Sequence, residues 1–249
     1  MTRIILNGAN GKMCRVIDNC VNERNDCKIV AGFDIITSPY SDFPIFAKQD
    51  DFEGDADVII DFSTPAVLDN LLSYALKRNI PLVIATTGYT AAQIEKINLA
   101  ATKIPVFFTF NMSLGINLLV DLAKKAAKVL GTQFDIEIIE KHHNQKVDAP
   151  SGTAIMLADA INQTMDNELK YMYDRHSVRK KRDKNEIGIH SVRGGTIVGE
   201  HEVIFAGRDE TITLSHTAMS KDVFAVGALG AAIFLASQAP GMYDMSNII

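Results

Sequence analysis

Within the first 34 residues an apolar run, a glycine turn, a helical stripe and a second apolar run ending in an acid succeed one another. Arg3 to Asn7 reads as a strand and Gly8-Ala9-Asn10-Gly11-Lys12-Met13-Cys14 as a turn opening a helix. Met13, Val16, Ile17, Cys20 and Val21 then recur at helical spacing, and Lys28 to Asp34 forms the next strand. Strands that alternate with helices demand a parallel sheet, since parallel neighbours need a crossover rather than a hairpin. Asp34 lies about twenty residues past the turn, where a carboxylate can accept from ribose hydroxyls. The glycine spacing is GxxG and not GxGxxG. Asn10 stands where a glycine is expected, and Asn tolerates left-handed backbone. Cys14 is small enough to let the helix lie near the strand. On spacing alone, a dinucleotide turn and a plain strand–turn–helix both stay open.

The alternation continues through Ala56 to Phe62, closed by the cap-and-proline step Ser63-Thr64-Pro65. Leu68, Leu71, Leu72, Ala75 and Leu76 give the following helix its apolar face. Pro81 to Ala85 is a further strand ending at Thr86-Thr87-Gly88, and helix Ala91 to Thr102 leads to Val106 to Phe108 and Asn111-Met112-Ser113. Open parallel sheets bind ligands outside their strand carboxyl ends. The glycine turn, Asp34, Ser63-Thr64, Thr86-Thr87-Gly88 and Asn111 all fall there, outlining one crevice.

After Asn117 the pattern changes. A helix over Leu118 to Leu130 ends at Gly131, and Asp135 to Ile139 alternates polar and apolar residues as a half-buried strand does. The stretch EKHHNQKVDAPSGT, Glu140 to Thr153, links that strand to a helix, with Ser151 as N-cap and Pro150 fixing the entry. A helix start offers backbone N–H groups and a positive dipole end to a carboxylate or phosphate. The His142–His143 pair alone is more often structural, and no cysteine or third histidine stands at zinc-ligand spacing. Imidazole, the Lys146 ammonium and an anion-ready helix start in one loop are nonetheless the equipment for protonating an anionic substrate.

Residues 165–184 are polar and irregular. Strands follow over Ile187 to Val192, Ile197 to Phe205 with Gly199 read as a bulge, and Thr211 to His216, with a Gly194-Gly195 turn. They imply a second, α+β unit whose sheet can carry an oligomer interface. His190, His201 and His216 read as sheet-face residues. A helix over Val223 to Ser237 closes the chain and returns to the first domain.

A net charge of −5 argues against general nucleic-acid binding, and the basic run Arg179 to Arg182 is offset by Asp183 and Glu186. Cys14, Cys20 and Cys27 form no disulfide framework, which favours a reducing compartment. The apolar run Val223 to Ala236 contains two glycines and is too short to span a membrane. The N-terminus enters Ile4-Ile5-Leu6 directly, without a signal-peptide core, so a cytoplasmic protein is expected.

GANGKM, DFSTP, ATTG, FNMSLGIN, EIIEKHHNQKVDAPSGTA, IGIHSVRGGTIVGEHEVIFAG and FAVGA together span nearly the whole chain. In that order they resemble the dihydrodipicolinate (4-hydroxy-tetrahydrodipicolinate) reductase family of lysine and diaminopimelate synthesis. The resemblance implies an α/β fold: a Rossmann-type domain from residues 1–112 and 222–249, and an α+β substrate-binding and tetramerisation domain from 113–221. It also implies a homotetramer and NADH- or NADPH-dependent reduction of a cyclic imine-type dicarboxylate, without a metal. By motif position His142 is the proton donor and Lys146 its partner, while His143, Ser151, Gly152 and Thr153 contact substrate. Gly8, Ala9, Asn10, Gly11, Lys12, Met13, Asp34, Ala85, Thr86, Thr87, Thr109, Phe110, Asn111 and Met112 are placed as cofactor contacts. Asn10, Cys14 and Ala85 replace glycines common in the family. Ile35 stands where some members carry an arginine for a 2′-phosphate, so a preference for NADH is expected. Competing readings are another small NAD(P)-dependent oxidoreductase of the same plan, and a dinucleotide-sensing regulator. Neither accounts for the His-Lys loop.

Overall fold

The computed structural model describes all residues, Met1–Ile249. The chain divides into two units, one of Met1–Leu114 with Asp222–Ile249 and one of Gly115–Lys221. The chain runs β1 (Thr2–Asn7), α1 (Lys12–Asn22), β2 (Cys27–Phe33), β3 (Ile45–Phe46), β4 (Val58–Asp61) and α2 (Leu68–Arg78). It continues through β5 (Leu82–Ile84), α3 (Ala91–Ala101), β6 (Pro105–Phe108) and α4 (Leu114–Leu130). The middle holds β7 (Asp135–His142), α5 (Gly152–Thr164), β8 (Lys170–Met172), β9 (Glu186–Arg193), β10 (Gly199–Ala206) and β11 (Thr211–Ala218). It closes with α6 (Asp222–Leu235) and β12 (Gly241–Tyr243).

In the first unit seven strands lie in the order β12-β6-β5-β4-β1-β2-β3, and every neighbouring pair is parallel. Successive strand residues point to opposite faces. Ile4, Leu6, Val58, Ile60, Val83 and Phe107 therefore pack with α1 and α6. Ile5, Ile59, Leu82, Ile84 and Val106 pack with α2 and α3 on the other face. Burial on both faces is why these strands read as continuous apolar runs instead of alternating ones. Ala225, Ala228, Leu229 and Ala232 of α6 join the first of these cores, so the closing helix returns to this unit as the sequence implied.

In the second unit the order is β11-β10-β7-β9-β8, a mixed sheet with β7 central. α4 and α5 cover one face through Ile116, Leu119, Ala123, Leu157, Ala158 and Ile161. Three short strands, β3, β8 and β12, escaped the sequence reading because two or three residues cannot show a period. Lys170–Met172 falls inside the stretch read as irregular, yet it pairs in parallel with Glu186–Gly188. α4 begins at Leu114, earlier than the apolar stripe suggested. Gly199 is not a bulge, because β10 keeps an unbroken register with β11 from Gly199 to Ala206. No helix is long and apolar enough to cross a membrane.

Candidate active site

In the first unit the strand carboxyl ends are shaped by Gly8. Its φ is +80°, and a Cβ there would stand 2.6 Å from the Phe62 carbonyl oxygen, so the turn approaches β4 as only glycine allows. The N–H groups of Gly8 and Ala9 both donate to the Phe33 carbonyl, at 2.9 and 3.1 Å. Gly11 caps α1 with no side chain, and the first helical turn carries no acid. The helix start thus keeps its positive end and orphan N–H groups for an external anion.

Asp34 follows β2, its two oxygens accepting from the N–H groups of Asn10 (2.9 Å) and Ile36 (3.0 Å). The Asn10 amide donates to the Ile36 carbonyl at 2.7 Å and accepts from Arg15 Nη2 at 2.8 Å. Asn10 therefore fastens the turn to the segment beyond Asp34, which a glycine could not do. A cavity of about 390 Å³ is walled by Gly8, Gly11, Phe33, Asp34, Ile35 and Thr64. An uncapped helix start, a side-chain-free turn and a carboxylate at the second strand end fit a dinucleotide.

The remaining positions chosen from sequence lie at neighbouring strand ends. Lys12 and Met13 open α1, and Ala9 is buried beneath the turn. Ala85, Thr86 and Thr87 follow β5, where Thr86 Oγ1 accepts from the Ser63 N–H at 2.8 Å. Thr109 to Met112 follow β6. Asn111 Oδ1 accepts from the Ser113 N–H at 2.8 Å, Phe110 is exposed and Met112 packs into the core. Sequence reasoning missed Ala47, Gln49 and Val67 in the cavity wall, which sit in short elements without periodicity. It also missed Asp61, fully buried, which accepts from Asn7 Nδ2 (2.7 Å), the Ser63 hydroxyl and the Tyr89 hydroxyl (3.2 Å). That carboxylate ties together the ends of β1 and β4 and the loop after β5.

In the second unit the organising element is β7. Its burial alternates strictly, with Ile136, Ile138, Glu140 and His142 under the helices. The face is apolar at one end of the strand and polar at the other. Glu140 is fully buried and binds Arg193 in a two-pronged pair, Nη1 to Oε2 at 2.7 Å and Nη2 to Oε1 at 2.6 Å. The Ser151 N–H adds to Oε1 at 3.1 Å, and His142 Nδ1 lies 2.6 Å from Oε2. Burial alone would push the Glu140 carboxyl up, but the Arg193 and His142 hydrogen bonds outweigh it and hold it at about 2. An ionised carboxylate only accepts. Nδ1 of His142 must therefore carry the proton, leaving Nε2 as the nitrogen that can gain or lose one. Nε2 would meet a Cβ at position 199 at 3.2 Å, so Gly199 leaves the space beside it clear.

Burial lowers the pKa of His142 below its ordinary value, outweighing the pull of Glu140, while the charges of Lys146 and Arg193 lower it further. His201 stands edge-on to it, ring centroids 5.2 Å apart, with Nε2 3.0 Å from Ser151 Oγ. Burial, then the neighbouring His142, pushes His201 down to about 4, so it is neutral at pH 7. Ser151 caps α5 by accepting from the Ala154 N–H at 3.1 Å. With its N–H on Glu140 and its hydroxyl on His201 and Ala154, Ser151 faces inward. Gly152 and Thr153 present the outer side of the helix start.

Lys146 Nζ lies 2.9 Å from Asp148 Oδ1. The Asp148 carboxyl is held below its usual range chiefly by Lys146, with the Gly152 N–H also contributing. The chain thus sets one of its own carboxylates between the Lys146 ammonium and the start of α5. His143 is half-buried just past the strand, its carbonyl accepting from the Lys146 N–H at 3.2 Å. Sequence reasoning missed Glu140 and Arg193 and set His201 aside as a sheet-face residue. The signal for Glu140 was present, since continuing the two-residue period from Ile136 and Ile138 places it inside.

The N-terminal model of dihydrodipicolinate reductase matches residues 2–112 and the C-terminal model matches residues 115–249. A 4-hydroxy-tetrahydrodipicolinate reductase of Caldanaerobacter subterraneus is 52% identical, covering 100% of this chain and 98% of that protein. Its counterpart in Clostridium tetani is 50% identical over 100% and 97%. A dipicolinate-bound dihydrodipicolinate reductase from Paenisporosarcina superposes with a TM-score of 0.83 at 26% identity, covering 100% of both chains.

Proposed function

The chain belongs to the dihydrodipicolinate reductase family, and its reaction is the pyridine-nucleotide-dependent reduction of 4-hydroxy-tetrahydrodipicolinate; from that premise we propose which residues carry each step. The dinucleotide supplies a hydride. The Gly8–Met13 turn and the start of α1 hold its pyrophosphate, and Asp34 accepts from its ribose. In the second unit Lys146, Gly152 and Thr153 hold a substrate carboxylate, and His142 Nε2 delivers the proton. The observation that carries this reading is Asp148, a carboxylate that the Lys146 ammonium already holds at 2.9 Å, just ahead of the start of α5. An anionic substrate takes the same ammonium and the N–H groups of that helix start. Its negative charge also favours the imidazolium of His142, which is neutral in the ligand-free protein at pH 7.

Pyridine-2,6-dicarboxylate tests the anion site, because it offers two planar carboxylates and no reducible imine. We expect it to compete with substrate. Thr153→Val is expected to raise both its Ki and the substrate KM by roughly 10-fold, the loss of about 1.4 kcal/mol of hydrogen bonding to a charged group. Unchanged Ki and KM in Thr153→Val would remove this helix start from the site.

Cofactor choice follows from Asp34 and Ile35. A carboxylate at the second strand end accepts from ribose hydroxyls and repels a 2′-phosphate. Ile35 is 92% exposed and offers no donor to offset that repulsion. Turnover with both cofactors and a lower KM for NADH is expected, with the gap narrowing in Asp34→Ala. A wild-type preference for NADPH would contradict this assignment of Asp34.

The face of the second sheet opposite α4 and α5 carries Glu137, Ile139 and Lys141 of β7 beside Glu200, Glu202 and Ile204 of β10. Lys141 pairs with Glu200 and Glu202 at 3.0 and 2.8 Å, neutralising charge on that face. This is the surface through which we place a homotetramer of the 27.3 kDa chain. Light scattering at assay concentration checks it, and a monomer mass counts against the assembly. Three cysteines without a disulfide fit a reducing cytoplasm.

A further inference from the structure

We infer that Glu140 and Arg193 act together as positioning residues: Glu140 fixes His142 in the Nδ1–H tautomer, and Arg193 balances the Glu140 charge so that the ring stays a labile acid. The inference rests on His142 being the proton donor. Three observations carry it. Glu140 has no exposed surface, yet it accepts two hydrogen bonds from Arg193, one from His142 and one from the Ser151 N–H, with the Ser191 side chain on the neighbouring strand also favouring its charged form. Both terminal nitrogens of Arg193 serve this cluster and its frame. Nη1 also donates to the Val192 carbonyl and Nη2 to the Asp148 carbonyl, each at 2.7 Å, the latter tying the loop to the strand, while Nε is buried without a partner. The register places the two side chains for this role, because β9 runs parallel to β7 with His142 opposite Arg193 and Glu140 opposite Ser191.

A carboxylate alone beneath an imidazole favours the imidazolium and makes it a reluctant acid. A guanidinium alone does the reverse. Joined in a two-pronged pair they cancel at long range while Oε2 still accepts from Nδ1, so the carboxylate orients the ring without trapping a proton on it. The charged or titratable groups facing His142 are Glu140 on its own strand, Arg193 on β9, His201 on β10 and Lys146 in the loop; α5 contributes only the start of its backbone and Ser151. Removing either member of the pair therefore has a sign. Glu140→Gln withdraws the negative charge and moves the His142 titration to lower pH. Arg193→Gln leaves the carboxylate uncompensated and moves it to higher pH. Arg193→Lys keeps the charge and holds the midpoint near wild type.

The experiment measures kcat, KM and the pH profile of kcat/KM for Glu140→Gln, Arg193→Gln and Arg193→Lys, with His142→Gln alongside and NADH affinity as the folding control. Glu140→Gln is expected to lower kcat by ~10–100-fold, by analogy with the cost of removing the orienting carboxylate of a metal-bound histidine, with KM within about threefold. The midpoints of Glu140→Gln and Arg193→Gln are expected to move in opposite directions. Shifts in the same direction, or none, overturn the inference. If Arg193→Gln does not fold, the downward shift in Glu140→Gln and the unmoved midpoint in Arg193→Lys carry the test, and failure of either overturns it. A wild-type kcat in His142→Gln would instead sink the assignment of the donor itself. A slow His142→Gln beside an unshifted Glu140→Gln would sink only the pairing.

Discussion

His142→Gln is expected to lower kcat by ~10²–10⁴-fold, the usual worth of a positioned acid, while NADH affinity stays at wild type. Glutamine keeps a hydrogen bond to Glu140 and roughly fills the space, but it cannot transfer a proton. Lys146→Ala is expected to fall in the same range, because it removes the cation that holds a carboxylate beside His142. Its KM should rise as well, which separates it from His142→Gln. The pH dependence has a definite sign. An acid works only when protonated, so activity is retained at low pH and lost as pH rises through its pKa. In the free protein that pKa lies below its ordinary value of about 6.5, so kcat/KM declines early. Substrate carboxylates favour the imidazolium, so kcat declines at higher pH. Single-turnover rates with saturating NADH check all of this, and a near-wild-type chemical step in His142→Gln refutes the assignment.

His143→Gln is a different case, acting on KM more than on kcat. His143 follows the last residue of β7, and successive residues of an extended chain point apart. Only His142 shares the inner face with Glu140.

What the sequence disclosed, and what it hid, follows from the length over which each signal repeats. Strands buried on both faces and amphipathic helices of 11 residues announce themselves by pattern, so β1, α1 and β2 were legible to within about a residue. The helix expected from Ser63-Thr64-Pro65 instead begins as a 3-10 turn at Pro65 without a side-chain cap, and α2 itself starts at Leu68. The loop from His142 to Thr153 was legible because its chemistry is concentrated in neighbouring residues. Arg193 lies 53 positions beyond Glu140, and only the β7–β9 register brings them together. No local pattern encodes that pairing. His201 shows the same limit, since its place beside His142 and Ser151 depends on the antiparallel fit of β10 against β7. Gly199 was misread for a related reason. A glycine within a strand marks either a bulge or a close approach, and here the neighbour is a histidine ring from the next strand.

Gly8→Val is expected to abolish cofactor binding while leaving the second unit able to bind pyridine-2,6-dicarboxylate. Two costs add at this position. A branched side chain at φ +80° pays for left-handed backbone, about 1–2 kcal/mol. Its Cβ would also start 2.6 Å from the Phe62 carbonyl oxygen and 3.0 Å from Ser63 Cα, both backbone atoms that cannot rotate aside. Overpacking of that kind costs typically 1–3 kcal/mol. The turn relieves both by moving away from β4, and that motion carries with it the Gly8 and Ala9 hydrogen bonds to Phe33 and the hold of Asn10 on Asp34. The start of α1 then no longer points its N–H groups into the cavity. A rise in NADH Kd of at least ~100-fold is expected, together with a lower melting temperature for the first unit. Titrating NADH fluorescence against the variant, with pyridine-2,6-dicarboxylate binding by calorimetry as the control, separates a broken turn from a misfolded chain. Near-wild-type NADH affinity in Gly8→Val would show that the cofactor does not approach this turn at all.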